Sequence, residues 1–477
     1  MKPILAIVAA AAVSFTGAAA AAPILIAQGQ LNGSTDLSGL TGTLENGLPA
    51  NVLGGLGSGL AYAGGNTFLA LPDRGPNATP YNAAVDSTVS YISRFQTVTL
   101  ALTPQSGAAL PFGLSPQLTG TTLLYSSDPL IYGTGLGLGA KADGTPLGSG
   151  VPGLNASTGN NYFTGRSDNF GAGGSGNPYD ARLDPESIRV SADGKSVFVS
   201  DEYGPYIRQF DKSTGQLLRT YTLPANLDVA LVSAHGADEE VNASGRVDNK
   251  GMEGLALTPD GKTLVGIMQQ ALLQDAPGAS KLLRIVTVDV ATGATHEYGY
   301  TLTSGSGVSE IVALNDHQFL VDERDGKGLG DGSNAAVKSI FLIDLTGATD
   351  ISNVAAGTAS TPTVKKYATP FLDLVSALKA NGYTAAQIPA KIEGLAIGQD
   401  VTLNGQLLHT LFVANDNDFL PAANQAGPNR FFVFGFTDGD IAAVTGVPEP
   451  ATWGMMLAGF GAIGMVLRRR RRRVALA

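Results

Sequence analysis

One unit recurs along this chain and restricts what it can fold into. In its clearest copy Asp184-Pro185-Glu186-Ser187 opens a run of β-branched and apolar residues. Asp193-Gly194 then makes a turn, residues 196–199 form a second run, and Ser200-Asp201-Glu202-Tyr203-Gly204-Pro205-Tyr206 closes the unit. An Asp-Gly pair between two such runs is a strong hairpin signal, because glycine supplies the left-handed backbone that a tight turn needs. The unit therefore predicts two antiparallel strands with carboxylates at their ends. It repeats almost unchanged at 253–267 around Asp260-Gly261, more loosely at 310–325, and with a longer turn at 393–418. A strand, turn and strand at 58–71 run into Pro72-Asp73-Arg74-Gly75 and make a fifth inner hairpin.

Between these copies lie outer-strand candidates at 207–211 with 217–223, 282–290 with 295–302, and 340–345. Four strands per unit at irregular spacing is the pattern of propeller blades with variable insertions. The predicted fold class is all-β, a β-propeller of six blades. The strands at 91–102 and 431–436 complete the sixth, and strands from the two ends pair to close the ring. Seven blades or a β-sandwich array stay open as alternatives. With 62 glycines in 477 residues and only 15% charged residues, many turns and short strands are favoured over long helices. The stretch 132–178, rich in Gly, Asn and Ser, reads as an insertion outside the core.

Charge and composition exclude several functions. A net charge of −10 argues against a nucleic-acid partner, since phosphate backbones are bound through clustered Lys and Arg. Six of the basic residues are the terminal run 468–473, so the body is more acidic still. That suits cation binding, and it also suits ordinary solubility. Cysteine is absent, which rules out disulfides, thiolate metal sites and a Cys nucleophile. The four histidines form no close pair, which makes zinc improbable.

The two ends carry sorting information. Lys2, an apolar stretch and the small residues around 18–22 have the three regions of a secretory signal, so residues 1–22 are assigned as a signal peptide cut by signal peptidase. Residues 23–440 are left as the propeller domain. At the other end Val447-Pro448-Glu449-Pro450 precedes an apolar stretch at 451–467 and the Arg run. The stretch is just long enough to span a bilayer, with the Arg cluster on the cytoplasmic side. This order resembles the PEP-CTERM sorting signal of Gram-negative bacteria at 447–473. The resemblance implies a transmembrane helix, processing by an exosortase, and delivery to the cell surface or extracellular polymer; a plain membrane anchor is the simpler alternative.

Taken with Lys250-Gly251-Met252-Glu253-Gly254-Leu255-Ala256, Asp322-Glu323-Arg324-Asp325, Lys391-Ile392-Glu393-Gly394-Leu395-Ala396 and Asn415-Asp416-Asn417-Asp418, the opening unit resembles the phytase-like family, described as having esterase-like activity. The resemblance runs from about residue 50 to 436. It implies a β-propeller, hydrolysis of phosphoric esters and dependence on a divalent metal, usually calcium.

The residues point the same way on their own terms. Glu186, Glu253, Glu310 and Glu393 hold the same place in four repeats and should ring the central channel. Such a ring cannot all stay ionised unless cations or basic groups neutralise it. Hard oxygen ligands select Ca²⁺ or Mg²⁺ over zinc. The expected metal ligands are these four with Asp201, Glu202, Glu323, Asp416 and Asp418, and Asp73, Arg74 and Asp322 are further channel candidates. The expected catalytic set is Glu186, Glu253, Glu393, Arg324, Lys250 and Lys391, the basic groups clamping phosphate or simply neutralising the acids. Repeated Glu before a strand can also be structural, bonding backbone amides at a blade's entrance.

Competing motifs fail. Gly194-Lys195-Ser196 and Gly261-Lys262-Thr263 mimic the end of a P-loop, but Arg189 and Ala256 stand where its first glycine belongs. No G-x-S-x-G occurs, which removes a serine-elbow esterase. The leading expectation is an exported, monomeric, metal-dependent hydrolase of small phosphate esters. The alternatives are a noncatalytic propeller that binds Ca²⁺ or extracellular polysaccharide, and a metal-dependent lactonase.

Overall fold

The computed structural model describes residues 22–78, 88–133, 151–167, 173–232, 238–275, 281–354 and 361–445. The expected signal peptide, apart from its last residue, and the expected transmembrane stretch 451–467 lie outside them. Among the described residues no helix is long and apolar enough to cross a membrane.

Among its described residues the body, Pro23–Thr437, is built from five antiparallel sheets of four or five strands and a small two-stranded one, Tyr125–Ser126 with Asn161–Tyr162. Blade 1 runs outward through Gly59–Tyr62, Thr67–Leu71, Arg94–Pro104 and Phe112–Leu123. Blade 2 follows with Pro185–Val190, Ser196–Asp201, Tyr206–Asp211 and Leu217–Tyr221, and blade 3 with Met252–Leu257, Thr263–Met268, Leu282–Asp289 and Thr295–Thr301. Blade 4 comprises Gly307–Ala313, Gln318–Arg324 and Lys338–Asp344, with Lys365–Lys366 and Leu372–Asp373 both pairing on its third strand. Blade 5 takes Lys391–Ile397, Gln406–Asp416 and Asn429–Phe436, and its fourth strand is the N-terminal Ile24–Leu31. Each inner strand packs beside the next, and the inner strand of blade 5 packs beside that of blade 1, so the ring closes.

The hairpin signals translate directly. Gly194 and Gly261 sit at φ 72° and 71°, the left-handed region that a side chain makes costly. The apolar residues of each strand alternate between the two faces of a blade, so the core lies between blades. Leu69, Leu71 and Phe95 of blade 1 meet Ile188, Val197 and Phe210 of blade 2, and Ile267 and Ile285 of blade 3 meet Ile311 and Phe319 of blade 4. The join between the chain's two ends is equally apolar. Ile26, Phe412, Phe431 and Val433 pack on Leu60, Phe68 and Val98, with the Phe68 and Phe412 rings 4.4 Å apart.

Closure by strands from the two ends is present, in the antiparallel pairing of Ile24–Leu31 with Asn429–Phe436. The blade number is five, which corrects the expected six. The strand expected near 91–102 is the third strand of blade 1, and 431–436 lies in the third strand of blade 5. Neither is left over to build a further blade. The expected insertion falls between blades 1 and 2, where the described parts are a short helix, Asn155–Thr158, and a two-residue strand, Asn161–Tyr162.

If the end-to-end join holds the ring, Ile26→Ala should lower the unfolding free energy by about 2–5 kcal/mol. Leu407→Ala, at a residue 57% exposed in the same blade, should change it by less than about 0.5 kcal/mol. Denaturant titration of both variants gives the comparison, and equal losses would remove the special role of the closing strand.

Candidate functional site

Strand register explains which side chains reach the channel. The pairs Leu60↔Ala70, Ile188↔Val199, Leu255↔Gly266, Ile311↔Val321 and Leu395↔Val413 mark one level in all five blades. Two residues before that level on the inner strands stand Ser58, Glu186, Glu253, Ser309 and Glu393. In blades 2 to 5 the pairing is interrupted there by a bulge, and a bulge re-aims a side chain. Three residues past the level on the second strands stand Asp73, Glu202, Gln269, Arg324 and Asp416. Two tiers of one quasi-fivefold plan thus converge on one mouth of the channel.

The cavity they make has a volume of about 140 Å³ and is lined by five carboxylates, Asp73, Glu186, Glu202, Glu253 and Glu393, and four bases, Arg74, Lys250, Arg324 and Lys391. Gln269, Gln270, Asn249 and Ser306 complete its wall. Asp184, Asp416 and Asp418 stand behind the lining and pair with it. Arg74 donates through Nη1 to Asp184 Oδ2 at 3.1 Å. Lys391 Nζ donates to Asp416 Oδ2 at 2.7 Å and Asp418 Oδ1 at 2.6 Å. Arg324 Nη2 donates to Glu393 Oε1 and lies 3.6 Å from Glu253 Oε1.

Two glutamates remain without such a base. Among the described residues Glu186 and Glu202 are buried and form no ion pair, and Glu202 Oε1 and Glu253 Oε2 lack any hydrogen-bond partner. Burial, followed by the negative charge of Glu253, pushes both Glu186 and Glu202 well above the usual carboxylate range. Glu253 is raised above its ordinary value as well, by burial first. Asp73 is likewise raised well above its ordinary value, by burial first and Asp416 second. Asp418 moves the other way: burial is the largest single influence and raises it, but the charges of Lys391 and Arg74 together with hydrogen bonding bring it below its ordinary value.

A divalent cation fits this donor set. One carboxylate oxygen from each of Asp184, Glu186 and Glu202 lies within 4.8 Å of the others, and the same holds for Asp73, Asp416 and Asp418. The first group carries the unpartnered Glu202 oxygen and only one engaged member, Asp184, whereas Lys391 already neutralises two members of the second. All the donors are oxygens, the chemistry of Ca²⁺ or Mg²⁺.

The expected residues divide accordingly. Glu186, Glu202, Glu253, Glu393, Asp73, Arg74, Lys250, Arg324 and Lys391 are brought together at the cavity, with Asp416 and Asp418 beside it. Glu310 is not in the ring. It stands one residue past the ring position, which blade 4 fills with Ser309, and its carboxylate is bound by Arg189 at 3.0 Å. Asp201 points the other way along its strand and pairs with the buried Arg208 at 3.3 Å. Glu323, also one residue out of phase, accepts from Lys366, from the Tyr300 hydroxyl and from the backbone amides of Thr303 and Ser304. Asp322 lies deeper and accepts from Ser309 Oγ at 3.1 Å. Asp184 and Gln269 were missing from the expected set. Counting residues from the paired level of each hairpin would have found Gln269, which lines the cavity beside Glu253.

Comparison with known proteins adds the following. The model of a family described as "Esterase-like activity of phytase" matches residues 51–419, and that of the PEP-CTERM protein-sorting motif matches 446–472. An uncharacterized secreted protein of Arthroderma benhamiae is 31% identical over 327 residues, which cover 58% of this chain and 60% of that protein. The chain thus spans about three fifths of the length of that relative. Among solved structures, hydrazine synthase of Kuenenia stuttgartiensis aligns over 81% of each chain at 12% identity and a TM-score of 0.32. A β-propeller domain of Myceliophteria thermophila aligns over 48% of this chain and 51% of that one, at 12% identity and a TM-score of 0.22.

The buried acids set a pH dependence. Asp322 and Asp416 are raised from 3.8, and Glu310 from 4.5, to about 7, in each case first by burial. The folded chain therefore holds these protons more tightly than the unfolded one. Their contribution to stability is fully present below the ordinary carboxylate values and is lost as pH rises through about 7. Melting of the protein in chelator should fall in temperature between about pH 5 and about pH 8, and millimolar Ca²⁺ should reduce the fall. A chelated protein that melts higher at the alkaline end would contradict this assignment.

Proposed function

The chain belongs to the phytase-like family, and from that premise we propose that it is an exported hydrolase of phosphoric esters that works at this cavity with a divalent cation, calcium first. The observation that carries the reading is the pairing of opposites in one small space. Glu186 and Glu202 stand without a basic partner next to Lys250, a cavity-lining cation that forms no ion pair among the described residues. Carboxylates left this way call for a cation, and a lysine left this way suits an anionic ligand.

Asp184, Glu186 and Glu202 would hold the cation, and such an ion polarises a phosphoryl oxygen and lowers the pKa of a bound water. The chain's own groups account for the rest. Lys250 and Arg324 receive the phosphoryl oxygens, with Glu393 fixing the guanidinium of Arg324 through their ion pair. Glu253, raised above its ordinary value by burial, holds a proton and delivers it to the departing alkoxide as a general acid. Gln269 stands beside Glu253 in the cavity wall.

Localisation follows from the sorting motif at 446–472, which marks the protein for export and surface sorting, and the fungal relative's description as secreted agrees. Within this reading, signal peptidase cuts near residues 20–22, and the stretch 451–467 anchors the chain until an exosortase acts.

The test is phosphate release from small phosphomonoesters by the purified chain, with and without chelator. Activity should vanish in chelator and return with Ca²⁺. Glu253→Gln should lower kcat by about 10²–10⁴-fold, the usual scale for a general acid. Lys250→Ala should act mainly on KM, as loss of a ground-state contact does. Asp201→Asn, at a residue paired with Arg208 away from the cavity, should lower the melting temperature more than it lowers kcat. Absence of phosphate release from every ester, with Ca²⁺ demonstrably bound, would leave the noncatalytic cation-binding propeller in its place.

A further inference from the structure

The channel is crossed, just beneath the cavity, by an ion pair that the proposed chemistry does not use. Glu310 belongs to a level whose equivalents are Gly59, Ser187, Gly254 and Gly394. Three of these are glycines because the strands approach closely there. A Cβ on Gly254 would lie 2.8 Å from Ile311 N, and one on Gly59 would lie 3.0 Å from Glu186 O. Blade 4 alone sends a carboxylate from this level, and the carboxylate is fully buried.

Its partners come from three other places around the ring. Ser187 Oγ of blade 2 donates at 2.9 Å, Leu255 N of blade 3 donates at 3.1 Å, and Arg189 Nη2 of blade 2 lies 3.0 Å away. Arg189 itself extends from a level where the other blades carry Ala61, Ala256, Val312 and Ala396, which leaves room for one long side chain. Its guanidinium donates to Leu60 O of blade 1 at 2.8 Å and Ile311 O of blade 4 at 2.9 Å. One ion pair thus ties four blades together across the axis. On one side lies the polar cavity. On the other lies a depression of about 480 Å³ lined by Tyr62, Val190, Leu257, Leu314 and Ile397.

The chain neighbours of its donors matter most. Ser187 follows Glu186 in the bulge of blade 2, and Leu255 lies two residues after Glu253 in blade 3. A bulge has lost ladder hydrogen bonds and is free to shift unless something else fixes it. We propose that Glu310, clamped by Arg189, is the positioning residue of this site: it pins both bulges and so sets where Glu186 and Glu253 stand. The functional part of this inference rests on the cation reading above. Outer contacts of this kind typically change cation affinity by about 10–100-fold when removed.

The experiment compares wild type with Ser187→Ala, which removes one donor and leaves the ion pair intact, and with Glu310→Gln. Hydrogen exchange of the cation-free chain should speed up by about tenfold or more in peptides covering 184–190 and 251–257, and stay unchanged at 429–436 in the closing blade. Calorimetric titration with Ca²⁺ should give affinities weakened by about tenfold or more. Exchange that is unchanged in the two bulges, or faster everywhere alike, overturns the pinning. So does wild-type Ca²⁺ affinity in both variants. Should the wild type bind neither Ca²⁺ nor Mg²⁺, the cation reading fails, while the exchange data still decide whether Glu310 fixes the bulges.

Discussion

Carboxylates forced together out of water set the terms for everything else in this protein. Five inner strands around one axis bring equivalent side chains within a few ångströms of each other, and like charges at that distance in a poorly solvated space repel strongly. The chain meets this in three ways visible at the mouth of the channel. Arg74, Arg324 and Lys391 each take an acidic partner. Glu186, Glu202 and Glu253 are raised by burial above the usual carboxylate range, so that they hold protons more tightly than free carboxylates do. Glu186 and Glu202 are left without a base, in a group of carboxylate oxygens with the spacing to hold a cation.

Repetition provides the convergence, and departures from it provide the chemistry. If all five blades carried glutamate at the bulge and aspartate at the second-strand end, the mouth would hold only acids. Instead the second-strand tier reads Asp73, Glu202, Gln269, Arg324 and Asp416. Blades 1, 2 and 5 contribute the carboxylates there, and blades 3 and 4 contribute an amide and a guanidinium. A site with an acidic side and a basic side can hold a cation and a phosphoryl group next to each other. A fully symmetric ring could not. The same principle explains Arg189 and Glu310, each the one long charged residue in a tier otherwise made of small ones, apart from Val312.

Much of this was legible in the chain itself. The Asp-Gly turns and the alternating runs announced the inner hairpins, and the carboxylates flanking them pointed to a channel site that the geometry places at one mouth. Blade number was harder, because a strand such as Arg94–Pro104 reads the same whether it completes a blade or starts one. Only its pairing with Thr67–Leu71 decides. The ring was misphased in blade 4 for a related reason. Val308-Ser309-Glu310-Ile311 resembles Met252-Glu253-Gly254-Leu255 if the eye follows the glutamate, and differs from it if the eye follows the apolar residue. Burial acts on the apolar residue, so the register follows Ile311 and Leu255. Asp201 and Glu323 looked like ligands because they sit in acidic clusters. Neighbouring residues on a strand face opposite ways, so in each cluster only part of the charge can reach the channel. Asp201 is taken by Arg208, only seven residues on in the adjacent strand, whereas the partners of Glu323, Lys366 and Tyr300, are 43 and 23 residues away.

The closing join and the ion site are linked through cost. Burying carboxylates with raised pKa values makes the body less stable near neutral pH than its apolar packing alone would make it. That deficit must be met elsewhere, and interblade contacts such as Phe68 on Phe412, residues that line no part of the cavity, supply apolar packing. Blades 5 and 1, which supply Asp73, Asp416 and Asp418, are the two joined by the chain's ends. Loosening of that join would separate Asp73 from Asp416 and relieve the repulsion between them, so the acids of the site press against the seam that closes the ring. A cation or a lysine between them turns that repulsion into attraction, and Lys391, donating to Asp416 and Asp418 at once, already does so beside the seam. The site and the fold are therefore stabilised by the same charge balance.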